Sequence, residues 1–348
     1  MTLDRVTRRS LIRATVASLA GGVVVSRGGQ GGEPLRGQAH VEHEDHALGT
    51  VGKVDTSIFD PSAFLRTWNF SNLPPEERSA LYRETPRPRG GLLREYDFYS
   101  VDRDVEIAPG VYFPAWTYNG QVPGPTIRAT AGDRVRVNFL NQSSHPHSIH
   151  FHGWHPPEMD GSLPPQQVSP GERFVYEFDA EPFGLHLYHC HTVPLKRHIH
   201  KGLYGAFLID PPEGRPPADE LVMVMNGFDT NFDAENEVYA VNTVANFYMQ
   251  EPIKVQVGRL VRIYLVNLTE FDLINSLHLH GMFFDVFRTG TRLAASEHTD
   301  TVMLCQGERA ILETTFRYPG DFMFHAHQTE FAELGWMGLF RAEAGRDS

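Results

Sequence analysis

The sequence predicts an all-β chain of two β-sandwich domains behind an N-terminal extension. Three observations carry this. From Leu93 onward, short runs of strand-like residues are separated by Gly, Pro and Asn: Tyr96–Tyr99, Val111–Tyr118, Arg134–Leu140, Arg173–Phe178 and Gly205–Ile209. Strands at this spacing read as a sandwich. The texture breaks at Pro211-Pro212-Glu213-Gly214-Arg215-Pro216-Pro217, which reads as a linker, and then returns.

The third observation is an internal repeat. Gly132-Asp133-Arg134-Val135-Arg136-Val137-Asn138-Phe139-Leu140-Asn141 lines up with Gly258-Arg259-Leu260-Val261-Arg262-Ile263-Tyr264-Leu265-Val266-Asn267. His150-Phe151-His152-Gly153 lines up with His278-Leu279-His280-Gly281, and His189-Cys190-His191 with His325-Ala326-His327. The domains are therefore placed at about 93–212 and 217–345.

Before them, Thr7-Arg8-Arg9-Ser10-Leu11-Ile12 is a twin-arginine pattern, and the run from Ala14 to Val25 is too short and too rich in Gly and Ala for a membrane span. Residues 1–39 read as a signal segment for export of an already folded protein, to the periplasm or beyond. His40, His43 and His46 lie in a polar leader. In the extension, 40–92, Asp60–Phe70 and Pro74–Tyr82 read as helical turns of an arm packed on a neighbouring surface.

The chain has 348 residues, is 41% hydrophobic, and carries a formal charge of -12. That is enough apolar residue for a sizeable core, and the wrong sign for nucleic acid, whose phosphates demand a basic surface. Two cysteines make no disulfide framework. Cys305, in the strand-like run Thr301-Val302-Met303-Leu304-Cys305, is expected to be a buried packing residue.

Cys190 is the chemical centre. Side chains alternate faces along a strand, so Cys190 points opposite to His189 and His191. Thiolate with imidazole suits copper, and His2Cys with a weak or absent axial ligand is the electron-transfer copper site. Of 18 histidines, eight fall in four His-x-His pairs that recur at matching places in the repeat: 150/152, 189/191, 278/280 and 325/327. Each pair presents both rings on one strand face, and eight neutral imidazoles aimed at one place have no packing role. His147, three before His150, faces with Cys190. The third ligand is best taken as His198, with His200 as runner-up and His145 and His186 behind it. Leu203 stands at the axial place. The corresponding positions in the second half, Asn275, Ala326, Phe331 and Trp336, offer no copper ligand, which leaves one mononuclear site, in the first domain.

These residues resemble the two-domain, laccase-like branch of the multicopper oxidases, over about 93–345. The resemblance implies two cupredoxin-like Greek-key domains. It implies a type 1 copper on His147, Cys190 and His198, and a type 2 copper on His150 and His278. The type 3 pair falls to His152, His189, His191, His280, His325 and His327. It also implies four one-electron oxidations of a small reducing substrate coupled to reduction of O2 to water. The assembly implied is a homotrimer, its clusters lying between domain 1 of one copy and domain 2 of the next. The long loop from Cys190 to His198 is closer to the spacing of copper nitrite reductases, and Leu203 replaces a frequent methionine. Asp160 and Glu330, near the ligands in sequence, are the candidate catalytic proton carriers. Two alternatives compete: a copper nitrite reductase, which needs fewer histidines, and a copper-sequestration protein, for which the scattered methionines and intact ligand sets are poorly suited.

Overall fold

The computed structural model describes residues 53–345. The twin-arginine segment, the Ala14–Val25 run and His40, His43 and His46 lie outside the described residues. Among the described residues, no helix is long and apolar enough to cross a membrane.

The chain after residue 81 is strand upon strand. The first half contains β1 (Tyr82–Pro86), β2 (Leu92–Ala108), β3 (Val111–Tyr118), β4 (Ile127–Thr130), β5 (Arg134–Asn141), β6 (His150–Phe151), β7 (Arg173–Asp179), β8 (Gly184–His189) and β9 (Tyr204–Asp210). One sheet runs β1-β2-β5-β7, with β3 also on β2, and the other runs β4-β9-β8-β6. Period-two patterning explains the layers. Along β5, Val135, Val137 and Phe139 are buried while Arg134, Arg136 and Asn138 face outward. The inward residues meet Tyr96, Phe98, Tyr118, Phe151, Tyr176, Tyr188, Cys190 and Leu203 in one apolar core.

The second half repeats the plan with β10 (Asp219–Phe228), β11 (Val238–Val241), β12 (Ile253–Gln256), β13 (Leu260–Asn267), β14 (Ile274–Leu279), β15 (Phe284–Arg288), β16 (Glu297–Thr299), β17 (Thr301–Cys305), β18 (Arg309–Thr315), β19 (Gly320–His325) and β20 (Met337–Glu343). Its sheets run β11-β10-β13-β18-β15-β16 and β12-β20-β19-β14-β17. The aligned segments of the repeat become β5 and β13, and each pairs in parallel with a long strand of its half, β5 with β2 and β13 with β10. The chain is an all-β pair of sandwiches, as the alternation predicts. They share a buried seam in which Leu187 and Leu208 meet Val222, Val224, Val266 and Ile311.

Two helical turns precede β1, α1 (Pro61–Phe64) and α2 (Pro75–Leu81). The Asp60 side chain caps the first by accepting from the Ser62 N–H at 2.8 Å. The arm then clamps both sandwiches. Phe64 enters the shared seam and Leu65 the second core. The Leu65 carbonyl accepts from the Val222 N–H at 2.8 Å, and Arg66 forks onto Asp219. β1 departs from the reading of 40–92 as an arm alone, because it pairs antiparallel with β2 as an edge strand. Its Arg83-Glu84-Thr85-Pro86 sequence is the polar, proline-ended kind that blunts a sheet edge, so it carries no apolar alternation to betray it.

Two further expectations are corrected. Cys305 is exposed. In β17, Val302 and Leu304 point inward, and strand parity therefore turns Met303 and Cys305 to solvent. The segment after Cys190, expected to be a loop, contains a helix, α3 (Leu195–His200), begun after Pro194.

Candidate metal centre

His147, Cys190 and His198 are brought together in the first sandwich, all three buried. His198 Nδ1 lies 3.2 Å from Cys190 Sγ and 3.1 Å from His147 Nδ1, and His147 Nδ1 lies 3.9 Å from the sulfur. His147 arrives on extended backbone bridged to Val168. Cys190 follows the end of β8, and His198 comes from α3. Burial holds His147 down at about 3 and His198 at about 4, so both rings are neutral with a lone pair to give. Burial also pushes the Cys190 thiol up, against the backbone N–H groups of Ser148 and Thr192. A thiolate in this fully enclosed place needs a cation beside it. Two imidazoles and one thiolate converging there fit copper.

α3 decides between His198 and His200. Residues two apart on a helix point about 200° apart. His198 turns to the sulfur, and His200 turns the other way, against Phe113 and Phe271, where its Nε2 accepts the Asp229 N–H at 3.1 Å. The other two candidates also stand elsewhere. His145 lies against the Trp116 ring at 4.5 Å between ring centres, and His186 donates from Nε2 to the Pro182 carbonyl at 2.8 Å. Leu203 is fully buried in the same core as Cys190. Its carbonyl accepts from the Cys190 N–H at 2.9 Å, and its N–H donates to the His198 carbonyl at 3.3 Å.

The four His-x-His pairs form two sets. In the first domain the rings of His150, His152, His189 and His191 touch one another at 5.2–5.8 Å between centres. In the second, His278, His280, His325 and His327 do so at 5.0–5.9 Å. Strand registry makes each set, since β6 pairs His150 with His189 and β14 pairs His278 with His325. Among the described residues, no hydrogen bond or ring contact joins one set to the other. The second set is the more open, with His280 and His327 exposed.

Backbone carbonyls aim the rings. His150 donates from Nδ1 to the Asp160 carbonyl at 2.7 Å and His278 to the Asp300 carbonyl at 3.0 Å. His189 and His325 donate likewise to the Cys190 carbonyl at 2.9 Å and the Ala326 carbonyl at 2.6 Å. A carbonyl can only accept, so a ring held in this way keeps its proton at Nδ1 and turns Nε2 to the centre of its set. There Nε2 of His152 faces that of His189 at 3.3 Å, and His280 faces His325 at 2.9 Å. Burial lowers His152 to about 2 and His189 to about 4. These donors fit borderline divalent metal, and imidazole-rich sites suit copper.

The repeat extends to individual hydrogen bonds. The Ala326 N–H donates to the Trp336 carbonyl and the Trp336 N–H to Phe331, matching Cys190, Leu203 and His198. The N–H groups of His191 and His327 donate to the hydroxyls of Ser148 and Ser276, at 3.1 and 2.8 Å. Where the first domain has its thiolate triad, the second has Ala326 and Trp336 in its core and Phe331 stacked on Tyr239.

Of the two acids, Asp160 reaches the rings, its Oδ1 lying 3.3 Å from His150 Nδ1 and 3.8 Å from His155 Nε2. Burial alone would raise its carboxyl. The Ser162 hydroxyl and the histidines outweigh that and hold it below its ordinary value. Glu330 is exposed at the start of α4 (Thr329–Glu333). Sequence reasoning missed Asp300, whose Oδ1 is 3.9 Å from His278 Nδ1. It is the counterpart of Asp160 across the repeat, and its distance of 22 residues from His278 hid it. Also missed were Ser143 and Asp102, beside His147: the Ser143 hydroxyl meets His147 Nε2 at 2.8 Å and donates to Asp102.

Comparison with known proteins agrees with this geometry. Multicopper oxidase family models match residues 102–214 and 215–346. A solved structure described as a multicopper oxidase is 51% identical, with a TM-score of 0.79, covering 84% of this chain and all of its own. The copper-containing nitrite reductase of Neisseria gonorrhoeae is 31% identical over 270 residues, 71% of this chain and 68% of its own length. The L-ascorbate oxidase of Cucumis sativus is 40% identical over 129 residues, 35% of this chain and 20% of its own. The chain belongs to the multicopper oxidases.

Proposed function

We propose that this copper oxidase is laccase-like, coupling four one-electron oxidations of a small reducing substrate to reduction of O2 to water. The observation that carries the reading is the pair of four-imidazole sets, all eight rings present and aimed. One type 1, one type 2 and two type 3 coppers would be held by the residues assigned above. When bound, copper supplies one-electron redox chemistry at the thiolate site and multi-electron oxygen chemistry at the imidazole sites. The protein's part is positioning. Trp116 covers His198 and His147, at 4.8 and 5.2 Å between ring centres. It floors a surface depression of about 430 Å3 that His145, Arg197 and Lys201 also line, and a donor seated there would meet the ring that covers His198. Inward, the backbone joins Cys190 directly to His189 and His191 of the first-domain set, and the Cys190 carbonyl is held by His189 Nδ1–H.

The more open set in the second domain meets no partner set among the described residues. A homotrimer, in which it meets the first-domain set of the next copy, supplies one. The twin-arginine pattern supports export of the folded chain, to the periplasm or beyond.

Leu203→Met is expected to lower the type 1 potential, since a thioether stabilises the oxidised metal; redox titration reads it, and an unchanged value counts against the axial assignment. Asp160→Asn is expected to slow O2 reduction about 10²-fold while leaving reduction of the blue site by the donor intact. Stopped-flow kinetics separate the two steps, and full turnover in both Asp160→Asn and Glu330→Gln removes the proton role.

The likeness to nitrite reductases favours a second reading, nitrite reduction at fewer coppers. Oxygen consumption with a phenolic donor, set against nitrite turnover under anaerobic conditions, decides between them. The proposal stands on the first and falls if only nitrite is turned over.

A further inference from the structure

We infer that Asp102 acts through Ser143 on His147 as a positioning residue that sets the potential of the thiolate site. The inference rests on the reading of His147, Cys190 and His198 as copper ligands.

His147 turns Nδ1 to the sulfur and to His198, so its Nε2 carries the proton. That N–H donates to Ser143 Oγ at 2.8 Å. The Ser143 hydroxyl is then left one proton, which it donates to Asp102 Oδ1. Ser143 is itself buried and fixed by its N–H on Asn141 Oδ1 at 3.0 Å. The chain of bonds has one polarity: imidazole to hydroxyl to carboxylate. The carboxylate end is exposed on the rim of the depression beside Trp116, and Ser144 also donates to it.

Physics sets the direction. A carboxylate at the end of the relay draws the Nε2 proton outward and makes the ring a stronger donor at Nδ1. A stronger donor stabilises the more highly charged metal, so the relay lowers the potential.

The repeat provides an internal comparison. Thr269 is held by its N–H on Asn267 Oδ1 at 3.0 Å, as Ser143 is on Asn141. Its hydroxyl accepts from Asn275, the counterpart of His147, at 3.0 Å. No carboxylate contact to Thr269 is present among the described residues. The carboxylate accompanies the hydroxyl in the half that has the thiolate.

The test is redox titration of the blue absorption in the copper-loaded full chain. Asp102→Asn keeps the exposed side chain's shape and is expected to shift the one-electron equilibrium toward the reduced form about tenfold, which is about 59 mV upward. In a Ser143→Ala background the same substitution is expected to give less than a third of that shift. In a Ser143→Thr background, which keeps the hydroxyl, it is expected to give all of it. An equal shift with and without the hydroxyl means that the charge acts through space, and overturns the relay. No shift in Asp102→Asn overturns it too. A wild-type chain that binds copper without blue absorption would instead remove the copper reading itself, before any variant is compared.

Discussion

Replacing Cys190 with serine is expected to remove the blue absorption, to take donor oxidation to background, and to leave the imidazole sites able to hold metal. The reason lies in the one thiol at the meeting point of two rings, 3.2 Å from His198 Nδ1. A hydroxyl does not ionise there, so it gives neither the charge that holds the metal nor the thiolate-to-metal absorption. The slot accepts the change, because serine is smaller and the Ser148 N–H that now faces the sulfur at 3.4 Å can face an oxygen. The fold is expected to lose no more than about 1–3 kcal/mol. Absorption spectra, copper content and thermal unfolding of the variant check all three statements. A blue band that survives would place the chromophore elsewhere.

The second large effect concerns the eight histidines. His280→Ala removes an exposed ring and leaves the apolar core of its domain untouched. Oxygen consumption is expected to vanish while the blue absorption remains, since the thiolate triad belongs to the other domain. His152→Ala in the first domain is expected to do the same. If each cluster is built from domain 1 of one copy and domain 2 of the next, the two inactive chains complement one another. Any mixed ring contains one junction between an intact first domain and an intact second domain. Unfolding and refolding equal amounts of the variants together is then expected to restore about one quarter of wild-type turnover, measured as O2 consumption, since about a quarter of the randomly assembled rings hold one variant alone and stay inactive. A mixture as inactive as its parts would mean that the two sets do not meet between copies.

Strand parity explains what could be read in advance. It turns Cys190 away from its flanking histidines and places His147 beside it; the same alternation built β5 and β13 and located the repeat. The same parity, applied to the strand-like run at 301–305, turns Cys305 to solvent with Met303, against the expectation that Cys305 is buried. The third ligand needed a structure, because the choice between His198 and His200 turns on whether 195–200 is helical, and a short helix after a proline leaves little periodicity to see. Asp300 and Asp102 were hidden for a different reason. They approach His278 and Ser143 through sheet pairing and loop return, 22 and 41 residues away along the chain. The strand at 82–86 is an edge whose polar residues show no buried face.

The most direct test is a count of copper in the fully loaded protein, taken with the blue absorption. The account predicts four coppers per chain, one of them blue and lost in Cys190→Ser, with the other three lost together in His280→Ala. Two coppers per chain, one blue and one other, would contradict it and place the chain among the nitrite-reducing arrangements instead.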